Sequence, residues 1–153
     1  MSETDITRRI QADMTTAMRA KDAPTLSTLR MLKTALMEAS TKKPKDVGLT
    51  GDEQIEIVQR YARKRREAIG EFRKLGREDL VASEEREIGV AARYLPQPLG
   101  DDELRALVRD AVAATGAAGP KDSGKVIAMV MAGARGRVEG GTVSRIVREI
   151  LAG

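Results

Sequence analysis

The sequence predicts an all-α fold, with an N-terminal four-helix domain followed by a smaller three-helix domain. Three observations carry that expectation. Apolar residues recur at three- and four-residue spacing, the period of a helix that buries one face, and no strand-like alternation appears. Aromatics are only 2% of the 153 residues (Tyr61, Phe72 and Tyr94), so the core must be built from Leu, Ile, Val, Met and Ala, which suits helix-on-helix packing. Pro96-Gln97-Pro98 interrupts the pattern, since neither proline continues a helix and each pushes its predecessor towards an extended conformation. The expected domains are therefore 1–95 and 96–153.

The first helix is expected from about Asp5 to Lys21, burying Ile6, Ile10, Met14, Ala17 and Met18. Asp22 is a fitting N-cap for the second, with Pro24 in its first turn and Leu26, Leu29, Leu32, Leu36 and Ala39 inward. Lys42 to Gly48 reads as a loop. Thr50 and Glu53 form a capping-box pattern at the start of the third helix, whose buried face is Ile55, Val58, Ala62, Ile69 and Phe72. Gly76 suits a left-handed stop. The fourth helix follows from about Glu78 to Tyr94, with Leu80, Ile88, Ala91 and Leu95 inward. Gly89 is an oddity inside it, since glycine costs about 1 kcal/mol against alanine there.

Asp101, Asp102 and Glu103 favour the positive end of the fifth helix, which buries Leu104, Leu107, Val108, Ala111 and Val112 and stops at Gly116. Gly119-Pro120 leads into the sixth, through Val126, Ile127, Val130 and Met131. A glycine-rich turn from Gly133 to Gly141 precedes the last, with Val143, Ile146, Val147, Ile150 and Leu151 inward.

There is no cysteine and no histidine, which excludes disulfides, thiolate nucleophiles, Cys or His zinc sites and every His-dependent triad. The sequence gives no reason to expect a metal or a cofactor. No apolar run approaches the ~20 residues of a membrane span, and the polar start Met1-Ser2-Glu3-Thr4-Asp5 is unlike a signal peptide. The expected location is cytoplasmic, with no membrane partner. The net charge of +4 with 33% charged residues describes a mixed surface with a mild basic bias.

Two groups of cations are candidate nucleic-acid contacts. Arg63-Lys64-Arg65-Arg66 could reach phosphates, Arg63 and Arg66 lying one turn apart. Glu56, Glu67 and Glu71 stand three or four residues from several of these cations, so a solvated, internally paired face is the favoured reading. The second group is Lys121, Lys125, Arg135, Arg137, Arg145 and Arg148. From Gly119 to Gly153 these six face three acids, a local net charge of +3, and glycine-rich turns flank helix starts whose amides can hold a phosphate. Phosphate reading and simple helix capping stand level on these residues alone. With so few aromatics to stack bases, any recognition should be of backbone and shape, as for structured RNA. The acidic pairs Asp101-Asp102-Glu103 and Glu84-Glu85 are better explained by the helix dipole and a solvated face than by acid–base chemistry.

The order of several motifs resembles the GatB/YqeY family, specifically its stand-alone YqeY-like proteins. The matching blocks are Met14 to Asp22, Leu26 to Lys33, Arg63 to Glu67, Gly76 to Leu80, Tyr94 to Leu99, Lys121 to Val126 and Gly136 to Gly140, with Val143 beyond. The resemblance implies a two-part helical fold. It also implies kinship of residues from about Gln97 onward with the C-terminal tail of the B subunit of the tRNA-dependent amidotransferase, the part that grips the tRNA body. The family label of carbon–nitrogen ligase with glutamine as amido donor belongs to that whole enzyme. Glutamine hydrolysis needs an activated nucleophile and the ATP step a phosphate cradle, and neither pattern is present here. The expectation is a non-catalytic helper that binds tRNA or other structured RNA, with an amidotransferase or aminoacyl-tRNA synthetase as a protein partner. The alternative is a docking module on such an enzyme without RNA contact.

Overall fold

The computed structural model describes residues 5–153, and every regular element among them is helical. The polar stretch Met1 to Thr4, expected to be unlike a signal peptide, lies outside the described residues. The chain divides into two compact units, one ending at Leu95 and the other Pro96–Gly153.

The first unit holds α1 (Ile6–Arg19), α2 (Ala23–Thr41), α3 (Gly51–Lys74) and α4 (Glu78–Ala92). Local chemistry sets their ends. The Asp5 carboxylate accepts from the Arg8 amide at the start of α1, and the Asp22 carboxylate accepts from the Thr25 amide at the start of α2. At α3 the Thr50 hydroxyl accepts from the Glu53 amide at 3.1 Å while the Glu53 carboxylate accepts from the Thr50 amide at 2.9 Å. Lys43, from the preceding loop, donates to both Glu53 oxygens. α3 ends in a Schellman turn: Gly76 is left-handed at φ 69°, the Gly76 amide reaches the Arg73 carbonyl and the Arg77 amide the Phe72 carbonyl.

The core of this unit joins Ile6, Ile10 and Met14 of α1, Leu29, Leu32 and Leu36 of α2, Val58 and Ala62 of α3, Val90 and Ala91 of α4, and Tyr94. Burying each large aliphatic side chain contributes about 1.5–3 kcal/mol. Two expectations change. Ala17 takes the last buried position of α1, and Met18, one residue round the helix, is half exposed. On α4 the buried residues are Val81, Val90 and Ala91, with Leu80 and Ile88 only partly covered. The reason is that α4 packs against both α2 and α3, so its buried arc is wider than one stripe.

The second unit holds α5 (Asp101–Thr115), a 3-10 turn (Pro120–Asp122), α6 (Ser123–Gly133) and α7 (Gly140–Ala152). Gly116, left-handed at φ 69°, closes α5. The core is Leu104, Val108 and Ala111 of α5, Val126 and Val130 of α6, and Val143, Ile146 and Val147 of α7. The expected turn from Gly133 to Gly141 is shorter than the glycines suggest, because Gly133 ends α6 and Gly140 begins α7. Between them Ala134 and Val138 are buried in the core, so this connection is a packed corner.

Candidate functional site

All six cations expected on the second unit are exposed: Lys121, Lys125, Arg135, Arg137, Arg145 and Arg148. Their surroundings differ. Lys121 sits in the 3-10 turn and Arg148 on α7, and neither side chain has a hydrogen bond or ion pair among the described residues. Lys125 lies 3.5 Å from Asp122, and Arg145 lies 3.0 Å from Glu149 one turn along α7. Arg135 is engaged within the protein. Arg137 is built into the fold: its Nε donates to the Gln97 carbonyl at 2.9 Å, and its own carbonyl accepts from the Leu99 amide at 3.0 Å.

The helix starts here are not open anion cradles. Asp122 precedes α6 and its carboxylate accepts from the Ala118 amide at 2.9 Å, an interaction that holds it below its ordinary value. Glu139 precedes α7 and puts a negative charge at the same end as the free amides. Any phosphate contact therefore falls to the lysine and arginine side chains. Charge is also divided along the unit: the stretch from Asp101 to Asp110 carries four acids and two arginines, against the basic excess from Gly119 onward. Arg105, which the sequence pattern did not single out, bridges Asp101 at 2.8 Å and Glu149 at 3.1 Å, and so ties α5 to α7.

In the first unit Arg63 and Arg66 are exposed on α3, and Arg66 has a partner within the protein. Arg65, from the same run, turns inward. Its guanidinium lies over the Tyr61 ring, 5.3 Å from the centroid, and its Nε faces Glu84 Oε2 at 3.5 Å. Both atoms are shielded from water and neither has a hydrogen-bond partner. The Glu84 side chain is only 13% exposed, so the expectation of a solvated Glu84 is corrected, while Glu85 is at the surface and pairs with Arg73 at 3.3 Å. Burial raises the Glu84 carboxyl above its usual range; Arg65 opposes the shift and Glu87 adds to it. Glu87 accepts from the Tyr61 hydroxyl at 2.8 Å. Burial and that carboxylate hold the hydroxyl well above the usual phenol range. The Tyr94 hydroxyl donates to Asp13, and Arg9 stacks 5.0 Å from the Tyr94 ring centroid. Both tyrosines thus serve helix contacts.

No helix among the described residues is long and apolar enough to cross a membrane, and no cluster of three or more acidic side chains suited to a metal ion is found among them. The match to the Yqey-like protein family runs over residues 7–151, and the chain belongs to that family. It is also similar to altered inheritance of mitochondria protein 41, mitochondrial, of Pyrenophora tritici-repentis, with 32% identity over 148 residues that cover 94% of this chain and 79% of that protein.

Proposed function

We propose that the protein is a non-catalytic helper that binds tRNA or another structured RNA through the second unit and serves tRNA-dependent amidation. The observation that carries this reading is the exposure of all six cations of the Gly119 to Gly153 segment, with Lys121 and Arg148 unpaired among the described residues. Arginine and lysine without internal partners are available to phosphate oxygens, and such contacts position a protein on structured RNA without base stacking. The resemblance of this unit to the amidotransferase tail supports the same partner class. Arg63 on α3 would extend the contact surface. The cytoplasm is the compartment expected from the sequence. The mitochondrial relative carries its compartment in its own name, and the role does not depend on the difference.

The docking alternative calls for an apolar stripe on one helix. Among the described residues the large apolar side chains at the surface are Met18, Met31, Met37, Val47, Leu75 and Met129. They are scattered over several helices and connections, and Met31 and Met37, both on α2, point roughly 120° apart. The RNA reading is therefore the better supported.

The test is retention of a tRNA pool by the purified protein across a salt series. Lys121→Glu with Arg148→Glu should weaken binding and lower the salt slope by about 0.7–0.9 for each phosphate no longer neutralised. These positions are preferable to Arg137, whose side chain holds the fold. Unchanged affinity in that double variant, or no retention at low salt, would remove the reading.

A further inference from the structure

An open groove of about 690 Å³ runs between the N-terminal half of α2 and α4. Small-molecule sites usually span ~300–1,000 Å³. Arg86 of α4 and Arg93, the αR residue that follows its last turn, line it; seven residues apart, they fall on the same side of the helix axis. Thr25, Ser27 and Ser83 add hydroxyls. Both arginines are exposed, and neither guanidinium has a hydrogen bond or close ion pair among the described residues. Two carboxylates also line the groove, but each has a partner. Asp22 accepts from the Thr25 amide at 3.2 Å to cap α2, and Glu87 accepts from the Tyr61 hydroxyl. Arg93 is close enough to Asp22 to help lower its carboxyl, after the Thr25 hydrogen bonds that do most of it, yet both guanidinium forks keep their donors free, and such a fork matches phosphate oxygens.

Gly89 supplies an independent observation. It lies inside α4, where glycine weakens a helix relative to alanine. The backbone does not require it, since its φ is not positive and an added Cβ would meet nothing within 4 Å. It lines the groove with the two arginines. The missing side chain leaves space in the groove at a cost to the helix.

The geometry points to a phosphate site in the α2–α4 groove: Arg86 and Arg93 hold the phosphate of a nucleotide, free or within an RNA strand, and Gly89 leaves room for it. Pro24, exposed on the rim, offers apolar surface for the sugar or base. The site belongs to the first unit and does not rest on the RNA reading of the second.

The full chain would be titrated with inorganic phosphate, with a mixture of nucleoside monophosphates and with a short oligouridylate, following backbone amide shifts and heats of binding. Saturable shifts at Thr25, Ser27 and Gly89 are expected. Preference for mononucleotides would assign the free ligand, and tighter binding of the oligomer would assign the strand. Arg86→Gln with Arg93→Gln should weaken binding about tenfold or more. Gly89→Ala should raise Tm by about 4 °C and weaken binding severalfold, two effects of opposite sign that a purely structural groove would not produce. A Gly89→Ala chain that is more stable and binds as before would overturn the assignment. So would shifts that bypass the groove for every probe.

Discussion

At the scale of single residues, the buried pair of Arg65 and Glu84 makes the sharpest energetic statement. An ion pair removed from water gains little net stability, but removing one partner strands the other. The Glu84 side chain is 13% exposed and Arg65 28%, so some solvent screening remains. Arg65→Met should then destabilise the first unit by about 2 kcal/mol at neutral pH, below the ~3–5 kcal/mol of a fully buried pair. The sign of the pH dependence follows from Glu84, whose carboxyl is raised in the folded state. Its contribution is fully present below the ordinary value of 4.5 and is lost as pH rises through the raised one. Without Arg65 that value rises further, so the penalty should shrink on acidification. Urea unfolding of both proteins at pH 7 and pH 5 measures this, and an equal penalty at the two pH values would refute it. The sequence could not reveal this pair. Glu84 and Glu85 look alike in a row of charges, and a step of one residue separates a buried carboxylate from a surface one. Partners within one helix can be guessed from spacing, as with Lys74 and Glu71 at 3.3 Å. Partners on two helices, such as Arg65 with Glu84 or Arg73 with Glu85, depend on packing.

At the scale of elements, the starts and stops were legible because their chemistry is local. The Thr50–Glu53 box, the Asp22 cap and the left-handed Gly76 and Gly116 are written in four or five consecutive residues. The α6–α7 corner was not legible, because glycine marks a helix end as readily as a turn and tertiary packing decides between them. The box makes a prediction. Thr50→Ala should cost about 1 kcal/mol, read as a lower urea midpoint. Hydrogen bonds from the Thr50 amide and from Lys43 hold the Glu53 carboxyl below its usual 4.5. A depressed carboxyl contributes stability above its unfolded value and loses it as pH falls through the folded one. The difference in Tm between the wild-type chain and Glu53→Gln should therefore be present at neutral pH, begin to shrink as pH falls below the ordinary 4.5, and disappear once pH has fallen through the lowered folded value. A difference that did not change with pH from neutral into acid would assign Glu53 a role other than the ionised cap. Glu84 works in the opposite direction, so the two variants separate the two carboxyls within one acid titration.

At the scale of the molecule, the helical class was legible from periodicity and the shortage of aromatics, whereas the spatial relation of the cations was not, because a sequence orders charges along the chain and not across helices. The structure adds that each unit has its own core: one built on Ile10, Leu29, Leu32, Leu36 and Val58, the other on Val108, Val126, Val130, Val143, Ile146 and Val147. A unit with its own closed core can fold alone. At 58 residues the second would be stable by only a few kcal/mol. The fragment Pro96–Gly153 should therefore show a helical spectrum and a cooperative, low-temperature unfolding transition. If the exposed cations from Lys121 to Arg148 carry RNA binding, this fragment should retain tRNA with most of the salt slope of the full chain. The complementary fragment ending at Leu95 should keep the nucleotide titration at Gly89 and contribute little to the slope. A folded second fragment that leaves tRNA unbound, beside a first fragment that binds it, would move the RNA surface onto α3, where Arg63 is exposed, and would leave the groove between α2 and α4 as a separate question of phosphate chemistry.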